Sequence, residues 1–317
     1  MKVSVICITA RSKPGLGRLL DSLKEQTFDG DFELVYGDLT DSSNILRIIK
    51  SFKPDEIYNL GAQSHVRTSF DIPEFTANVD AIGALRVLEA IRVLNLQKKT
   101  KYYQASTSEI FGNTQIPQNE KTPFRPRSPY AIAKLYAFWA TVNFREAYNM
   151  FAVNGILFNH EGPRRGENFV SRKITRSIAE IISNKRKYFS LGNLNAKRDW
   201  GSARDYVESM WLMLKAKKPS DYVIATGKSY TVRQFVQEAF KYVNINIAWK
   251  GKGLKEIGFN KKNGNVLVKI DPIYFRPTEI DELRGDSTKA KRELKWKPKT
   301  DFKNLVKEMM FSDLSDL

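Results

Sequence analysis

A tyrosine and a lysine four residues apart, Tyr130 and Lys134, are the pair whose types and spacing most clearly indicate chemistry. Residues at this spacing share one face of a helix, so the lysine charge can lower the pKa of the tyrosine toward the range in which a phenolate acts as a base. Ser128 and Pro129 just before them supply an N-cap and an N1 proline, where the helix dipole also favours an anion. The pair therefore predicts a proton acceptor in the first turn of a helix.

A second group of reactive side chains, Ser106, Thr107, Ser108 and Glu109, follows a predicted strand at residues 101–105. The Tyr-x-x-x-Lys spacing alone is common by chance, and a surface lysine beside a core tyrosine is its ordinary interpretation. Joined to these hydroxyls and to the carboxylate, it predicts an acid/base set for hydride transfer with one additional carboxylate. If the segment is extended, Ser108 points away from its two neighbours, which gives it a structural role.

The elements that position these residues follow from the hydrophobic pattern. Short β-rich runs alternate with amphipathic stretches of helical length, which predicts an α/β fold with a Rossmann-type, doubly wound parallel sheet. The predicted strands are residues 3–9, 32–36, 56–60, 101–105 and 152–158. The predicted helices are residues 16–26, 42–52, 73–94 and 129–148, then 169–183 and 231–242, with the segment 202–217 between the last two. The pattern loosens after residue 159, and a Gly/Lys-rich stretch at 250–265 belongs to a smaller, interleaved region.

Composition permits such a protein and narrows the other function classes. The chain has 317 residues, of which 42% are hydrophobic, enough for one large or two modest domains. A single cysteine, Cys7, rules out an internal disulfide, and the apolar run at residues 3–10 is too short to span a membrane. The formal charge of +17 is interspersed with acidic residues and has no nucleic-acid motif beside it. We expect a cytoplasmic protein that binds neither nucleic acid nor a membrane, and whose charge attracts anionic small molecules.

Longer stretches of the chain carry a family resemblance, which covers residues 34–317. They lie at residues 35–41, 57–66, 151–161, 191–194, 197–201 and 276–279. With the residues described above, they resemble the GDP-mannose 4,6-dehydratases of the extended short-chain dehydrogenase/reductase superfamily. The resemblance implies an NADP-binding domain at residues 1–160, atypical over 1–33, and a mainly sugar-nucleotide-binding region at 161–317.

The resemblance also implies the chemistry, an internally redox-neutral dehydration of GDP-mannose in which hydride leaves C4 of the sugar for NADP and returns to C6. Tyr130 takes the 4-hydroxyl proton, aided by Lys134, which also holds the nicotinamide ribose. Thr107 holds the 4-oxygen by a hydrogen bond. Glu109 removes the C5 proton and then protonates the departing 6-hydroxyl. The alternative for Glu109 is an ordinary surface carboxylate.

Ligand positions are implied in the same way. The cofactor contacts are Asp38, Leu39, Leu60, Ala62, Tyr103, Tyr130, Lys134 and His160. The substrate contacts are Asn159, Asn168, Lys173, Gly192, Arg198, Arg276 and Glu279. Arg198 suits the diphosphate and Glu279 the guanine, whereas a structural core histidine is the alternative for His160. The family has serine at the position of Gly162. Since Cys, His and carboxylates form no cluster at ligand spacing, we expect no metal.

The amino terminus departs from this family. The family opens with a strand and a Gly-x-x-Gly-x-x-Gly turn, whose backbone N–H groups approach the cofactor pyrophosphate. Here Ala10 and Lys13 occupy the first two glycine positions, Gly17 fits the third only with a one-residue insertion, and Pro14 removes an amide donor. Residues 3–33 instead resemble the start of a family 2 glycosyltransferase, although nothing downstream continues that pattern. We therefore expect weakened NADP binding.

A second strand and its loop, which the family has before its Tyr-Gly-Asp-Leu strand, are also missing. That loop normally carries an Arg-Arg-Ser-Ser motif for the NADP 2′-phosphate and for tetramer contacts. Our hypothesis is that the strand at residues 32–36 takes the vacant place beside the first strand, which leaves the sheet one strand short. Asp38 then lies about twenty residues past the remaining glycines, where a dinucleotide fold has its ribose-binding carboxylate, and it disfavours a 2′-phosphate.

The sequence leaves two alternative functions open and predicts one oligomeric state. The catalytic set favours an active dehydratase, whereas the altered amino terminus favours a non-catalytic sugar-nucleotide-binding relic. We expect a homodimer rather than a tetramer, through a four-helix interface of the helices at 73–94 and 129–148. Its candidate apolar contacts are Leu85, Leu88, Phe138 and Trp139, with packing inside one subunit as the alternative.

Overall fold

The computed structural model describes residues 3–8 and 32–316, in which strands and helices alternate. The strands are β1 (Val3–Ile8), β2 (Phe32–Gly37), β3 (Glu56–Asn59), β4 (Lys101–Thr107), β5 (Ala152–Leu157), β6 (Asn159–Glu161), β7 (Phe189–Leu191), β8 (Lys197–Arg198), β9 (Trp200–Ser202), β10 (Asp221–Ile224), β11 (Tyr230–Thr231), β12 (Ile247–Lys250), β13 (Ile257–Asn260) and β14 (Val266–Ile270). The helices are α1 (Ser42–Phe52), α2 (Val66–Asp71), α3 (Pro73–Ala77), α4 (Gly83–Val93), α5 (Pro129–Tyr148), α6 (Val170–Ile182), α7 (Ala203–Lys215), α8 (Val232–Tyr242), α9 (Thr288–Leu294) and α10 (Phe302–Ser315).

A parallel sheet in the order β10-β5-β4-β3 lies between two layers of helices. Because neighbouring residues of a strand face opposite sides, Tyr102 of β4 packs with α1, α4 and α5, and Tyr103 packs with α7 and α9. Ala152 and Val153 divide between the two faces of β5 in the same way. The predicted doubly wound, Rossmann-type α/β fold is confirmed.

The second half of the chain contributes to this sheet as well. After β6 the chain returns to pair β10 with β5, and α7 packs on β4 and β5. The sheet is therefore built from residues on both sides of position 160. The predicted division of the chain into two domains at that position stays a prediction.

The first two strands pair with each other. β1 and β2 run parallel, with Val3 opposite Phe32 and Ile8 opposite Gly37. This pairing confirms that the strand before Asp38 lies directly beside the first strand. The glycine-turn positions and the predicted helix at residues 16–26 lie outside the described residues.

The helix predicted at residues 42–52 has the predicted bounds, whereas the helix predicted at residues 73–94 is divided. α1 begins after Asp41, whose carboxylate accepts a hydrogen bond from the Asn44 backbone N–H (3.0 Å). The helix predicted at 73–94 consists of α3, a π-helical turn (Asn78–Ile82) and α4. The hydrophobic periodicity of residues 73–94 predicted one continuous helix and did not indicate this turn. Such turns are frequent at functional sites.

Helices α6, α8 and α10 and the mixed sheet in the order β12-β13-β14-β7 form a second lobe. This second lobe has its own hydrophobic core, which contains Trp200, Phe235 and Phe302. The Gly/Lys-rich stretch supplies β13 and its turns. Within the described part of the chain, we find no helix with the length and apolar character needed to cross a membrane.

Candidate active site

Tyr130 and Lys134 lie in the first turns of α5, as their spacing predicts. The Ser128 hydroxyl accepts a hydrogen bond from the backbone N–H of Ala131 (3.1 Å) and so caps the helix. The two side chains are buried, with exposures of 8% and 3%. The Lys134 ammonium donates to the backbone oxygen of Ala105 in β4 (3.1 Å) and lies 5.9 Å from the centre of the Tyr130 ring.

The pKa of Tyr130 lies well above its ordinary value, so the lowering predicted from the Lys134 charge is wrong for this structure. Burial is the main cause because a desolvated phenolate is disfavoured, and the Asp80 carboxylate raises the pKa further. A hydrogen bond with the Thr107 hydroxyl and the charge of Arg165 act in the opposite direction. Burial also lowers the pKa of Lys134, against the attraction of Asp80. The fold by itself therefore holds Tyr130 as a neutral phenol.

Thr107 and Glu109 lie on either side of a change in backbone conformation. Thr107 ends β4, and its hydroxyl accepts a hydrogen bond from the Glu109 backbone N–H (3.2 Å) at the start of a 3₁₀ turn (Ser108–Phe111). Because the chain coils here, the assumption of an extended segment around Ser108 is wrong. Glu109 is only 7% exposed, so the surface-carboxylate alternative is wrong too. Thr107, Glu109, Tyr130 and Lys134 thus meet at the carboxyl end of β4.

Glu109 belongs to a chain of four alternating charges. Its two carboxylate oxygens lie 3.1 and 3.2 Å from Nη1 of Arg276. Nε of Arg276 lies 4.0 Å from Oε1 of Glu279, and the same oxygen accepts a hydrogen bond from Nη2 of Arg198 (3.2 Å). The structure therefore joins a predicted catalytic carboxylate to three predicted substrate residues.

The two arginines of this chain differ in their electrostatic balance. Burial opposes the charge on Arg276, yet Glu109 and Glu279 raise its pKa above the ordinary value. Burial and the nearby Arg276 lower the pKa of Arg198, and the two glutamates do not offset them. Arg198 is therefore a buried cation whose charge the neighbouring glutamates compensate only in part, and its Nη1 also donates to the backbone oxygens of Lys197 (2.9 Å) and Ile280 (2.8 Å).

Lys173 and Gly192 lie against Tyr274, at the start of the segment that carries Arg276. The Lys173 ammonium lies 3.1 Å from the centre of the Tyr274 ring and has no hydrogen-bond partner among the described residues. Burial and the nearby Arg186 lower its pKa to about 8. A Cβ on Gly192 would lie 2.6 Å from the backbone oxygen of Tyr274, so this close approach requires glycine. These two predicted substrate residues therefore share one wall of the site.

The remaining predicted substrate residues are Asn159 and Asn168, and His160, a predicted cofactor residue, lies next to Asn159. Asn159 and His160 are in β6, which pairs with β9, and Asn168 is exposed just before α6. His160 donates from Nδ1 to the Phe158 backbone oxygen (3.0 Å) and stacks on Tyr206, with ring centres 5.3 Å apart. Burial lowers the pKa of His160, so its ring is held neutral. Its contacts fit the structural alternative as well as a ligand role.

The predicted cofactor residues fall into two groups. Asp38 follows β2, and its Oδ1 accepts hydrogen bonds from the backbone N–H and the hydroxyl of Thr40, both 2.8 Å long. Leu60 is 54% exposed just beyond β3, with the partly buried Ala62 beside it. In contrast, the side chains of Leu39 and Tyr103 are buried in the cores on opposite faces of the sheet. The structure thus places those two side chains away from any open cleft.

Asp80 is a residue of the site that sequence reasoning missed. It lies in the π-helical turn at 1% exposure, and its Oδ1 accepts a hydrogen bond from the Gln63 backbone N–H (2.7 Å). Its Oδ2 has no hydrogen-bond partner among the described residues. Burial raises its pKa to about 6, while Lys134 draws it down. An acid between Val79 and Ala81 on the apolar stripe was the available signal.

Lys134, Ser106 and Asp38 are placed so that they fit the ribose and nicotinamide end of a dinucleotide. The Lys134 ammonium has three donors and gives one of them to the Ala105 backbone oxygen, and the hydroxyl of Ser106 is buried without a partner among the described residues. Asp38 lies at the carboxyl edge of β2, where a carboxylate accepts hydrogen bonds from ribose hydroxyls. Within residues 3–8 and 32–316, no group of three or more His, Cys, Asp or Glu side chains is placed to hold a metal ion.

Comparison with known sequences places these features in context. The profile of the family described as GDP-mannose 4,6 dehydratase matches residues 2–309, a range that includes the atypical amino-terminal stretch. The GDP-mannose 4,6 dehydratase of Drosophila melanogaster is 60% identical over 286 residues, which are 90% of this chain and 72% of the fly protein. The human protein of that name is 58% identical over 287 residues, 90% of this chain and 77% of its own length. The Sinorhizobium fredii protein is 58% identical over 287 residues and is covered over 82% of its length.

Comparison with solved structures concerns the fold. RMD from Pseudomonas aeruginosa, solved with NADPH, has a TM-score of 0.78 at 18% identity, covering 98% of this chain and 99% of that one. The dTDP-glucose 4,6-dehydratase of Bacillus anthracis, solved with NAD, has a TM-score of 0.72 at 17% identity, covering 98% of this chain and 96% of that one. At such low identity the likeness extends to the fold alone.

Proposed function

The chain belongs to the GDP-mannose 4,6-dehydratase family, and we propose that it converts GDP-D-mannose into GDP-4-dehydro-6-deoxy-D-mannose with NADP as cofactor. The observation that carries the proposal is the meeting of Thr107, Glu109, Tyr130 and Lys134 at the carboxyl end of β4. This lyase reaction belongs to nucleotide-sugar metabolism and leads to deoxysugars of the GDP-fucose type. The intact acid/base set argues against the alternative of a non-catalytic binding protein. Since substrate and cofactor are small charged molecules, we propose a cytoplasmic location.

Tyr130 is the proposed acceptor of the 4-hydroxyl proton. When bound, the oxidised nicotinamide takes up and returns the hydride, and its positive charge favours a phenolate nearby. Lys134 keeps a second positive charge beneath the ring and has donors left for the ribose. Thr107, which already hydrogen-bonds the phenol, holds the 4-oxygen in line with it. These three side chains serve the oxidation at C4.

Glu109 is the proposed base at C5. A ketone at C4 acidifies the C5 proton, which a carboxylate can then remove as the C5–C6 double bond forms. The 6-hydroxyl leaves with that same proton from Glu109, as water. The proton held by Tyr130 replaces the one lost at C5, so the two residues return to their starting states. In this scheme Tyr130 serves the oxidation at C4, and Glu109 serves the elimination of water.

The charged residues of the second lobe are the proposed contacts of the GDP group. Arg198, a buried cation that is only partly compensated, suits the diphosphate as a planar, doubly hydrogen-bonding group. Lys173 supplies a further cation, and Glu279 accepts from the guanine N1–H and amine. Gly192, Asn168 and Asn159 complete the proposed sugar-nucleotide contacts.

NADP is the proposed cofactor, with a reduced preference over NAD. Asp38 repels a 2′-phosphate that approaches the carboxyl edge of β2, and the pairing of β1 with β2 supports its position there. His160, Leu60 and Ala62 contribute to the proposed cofactor surface beyond β3 and β5. The carboxylate favours the two free ribose hydroxyls of NAD, so the discrimination between the two cofactors is small.

A homodimer is the proposed assembly. Trp139, Tyr136 and Ile132 of α5 are 55%, 45% and 58% exposed and line a surface groove of about 430 Å³ together with Leu85. Leu88 and Phe138 are buried in the hydrophobic cores of one subunit, so the prediction that they lie in the interface was wrong.

Trp139→Asp should make the protein monomeric in sedimentation, whereas Trp211→Asp, which changes a tryptophan of 52% exposure on α7, should not. A monodisperse wild-type monomer at micromolar concentration contradicts the dimer.

The direct test of the function is conversion of GDP-mannose in the presence of added NADP. Mass spectrometry should detect a nucleotide sugar lighter by one water, and borohydride should then reduce its ketone. Tyr130→Phe is the matched control because it removes only the phenolic hydroxyl from a buried ring. If wild-type protein that binds both ligands forms no dehydrated product, the proposal fails.

A further inference from the structure

We propose that Arg276 is a gate that holds Glu109 in a nonproductive state until the diphosphate of a nucleotide sugar draws the arginine away. The inference rests on the function proposed above and adds a positioning role that depends on the substrate. It makes removal of the C5 proton conditional on occupation of the nucleotide end of the site. Arg276 thereby becomes a residue that determines specificity for the diphosphate.

The geometry of the pair engages both oxygens of the base. Nη1 of Arg276 lies 3.1 and 3.2 Å from the two carboxylate oxygens of Glu109. The guanidinium therefore takes up one acceptor position on each oxygen of the base and holds a positive charge against its negative one. Both side chains are largely shielded, with exposures of 23% and 9%, so solvent does not weaken the pair as it weakens surface ion pairs. Glu109 in this arrangement is a bound carboxylate rather than an available base.

The backbone that follows Arg276 is anchored, whereas the Arg276 side chain is held, among the described residues, by Glu109 and Glu279. The hydroxyl of Thr278 donates to the Arg127 backbone oxygen. The Asn113 side chain donates to the Glu279 backbone oxygen (3.1 Å) and accepts from the Asp281 N–H (3.0 Å). Opening therefore requires rotation of one side chain, not movement of the segment.

A diphosphate is the ligand whose chemistry would open the gate. Arg276 and Arg198 both contact Glu279, so an anion bound to Arg198 lies within reach of Arg276 as well. Diphosphate oxygens accept two parallel N–H bonds from a guanidinium and carry more charge than one carboxylate. Burial, and then a neighbouring arginine, lowers the pKa of both Arg198 and Lys173, so a bound anion would stabilise their charged forms. Binding of the nucleotide and release of the base are thus coupled through one arginine.

The test measures how readily Glu109 reacts with a water-soluble carbodiimide, read by peptide mass spectrometry, with GDP as the probe. GDP carries the diphosphate but no hexose, so it leaves the space beside Glu109 open. We expect GDP to raise Glu109 labelling in the wild type by about fivefold or more, the scale of an ordinary coupling between sites. Guanosine, which lacks the diphosphate, should leave it unchanged. Arg276→Gln should show the raised labelling without GDP, and added GDP should change it no further.

A matched control uses another partly buried ion pair of the same lobe. Arg233 pairs with Glu256 at 2.6 Å and has the same 23% exposure as Arg276. Arg233→Gln should raise labelling of Glu256 and leave that of Glu109 unchanged, which shows that the reagent detects loss of an arginine partner locally. If Arg276→Gln does not fold, Arg276→Lys, a point charge without the planar fork, should give intermediate labelling.

The proposal is overturned if folded Arg276→Gln is labelled at Glu109 no faster than the wild type. It is also overturned if calorimetry shows that GDP binds and yet Glu109 labelling does not rise. The same holds if guanosine raises Glu109 labelling as much as GDP does. Labelling requires neither cofactor nor turnover. A failure of the gate is therefore distinguishable from a failure of the dehydratase proposal.

Discussion

The ends of β4 and β2 carry two different parts of this site, and they differ in how firmly they fix their side chains. At the end of β4, Thr107, Glu109, Tyr130 and Lys134 are each 8% exposed or less and are held by the backbone, by one another or by Arg276. At the end of β2, the Asp38 carboxylate is partly exposed, and among the described residues it bonds only to Thr40. The first is the proposed catalytic region and the second the proposed cofactor region, so the side chains proposed for chemistry are the more firmly held.

The two regions also belong to separate hydrogen-bonded sets of strands. β4 lies inside the four-stranded sheet, between β3 and β5, whereas β2 pairs with β1 alone. Changes at the first pair of strands should therefore alter cofactor affinity without altering the acid/base geometry.

The largest expected effect separates two roles within the catalytic region. Tyr130→Phe should lower C4 oxidation by roughly a thousandfold, because it removes the proton acceptor. Glu109→Gln should still oxidise C4 and then stall, since the C5 proton stays in place. Absorbance of the reduced nicotinamide in a single turnover distinguishes the two: it should accumulate with Glu109→Gln and not with Tyr130→Phe. Equal and complete loss of C4 oxidation in both variants would contradict this assignment of separate roles to Tyr130 and Glu109.

The next effect concerns the stability of the catalytic region. The pKa of Asp80 is raised from 3.8 to about 6 in the folded protein, so folding favours its protonated form. Its contribution to stability is full below about pH 4 and is lost as the pH rises through about 6. Asp80→Asn keeps an acceptor for the Gln63 N–H, and should raise the free energy of unfolding by ~2–3 kcal/mol above pH 6.

Denaturant titrations at several pH values measure this difference, which should vanish below about pH 4. Asp55→Asn, at a side chain that is 82% exposed, is the control and should change stability by ~0.5 kcal/mol or less. If Asp80→Asn is less stable than the wild type at neutral pH, the buried carboxylate has a compensating partner that the structure does not include.

A smaller effect is expected in the cofactor region. Pro14 and Lys13 replace a glycine turn that would offer backbone amides to a pyrophosphate, and both lie outside the described residues. We expect NADP to bind about tenfold more weakly than with a complete turn, a loss of about 1.4 kcal/mol. Grafting a Gly-x-x-Gly-x-x-Gly turn with the missing strand and loop should restore affinity and widen the preference for NADP over NAD. Co-purification of the unmodified chain with stoichiometric NADP would refute this view.

The sequence predicted well what local physics decides. The Ser128-Pro129 start predicted the beginning of α5, and the strand pattern predicted the central sheet. The proposed catalytic residues could be singled out because a resemblance joined two weak local motifs. Their meeting at one strand end then follows from the parallel topology.

What the sequence did not predict depends on distant contacts and on burial. The pair Glu109–Arg276 joins residues 167 positions apart, which no local pattern indicates. The raised pKa of Tyr130 follows from desolvation, which outweighs the favourable spacing of Lys134. The burial of Asp80 depends on the π-helical turn, and the apolar neighbours Val79 and Ala81 were the only hint of it that the sequence offered.

The most direct test of the whole account follows one hydrogen atom through the reaction. GDP-mannose that carries deuterium at C4 is incubated with the protein and saturating NADP, which compensates for weak cofactor binding. Nuclear magnetic resonance then locates the deuterium in the product. The account predicts a 4-keto-6-deoxy product with deuterium at C6, because the catalytic region is complete and returns the same hydride. A product without deuterium at C6, or no product although both ligands are bound, would contradict it.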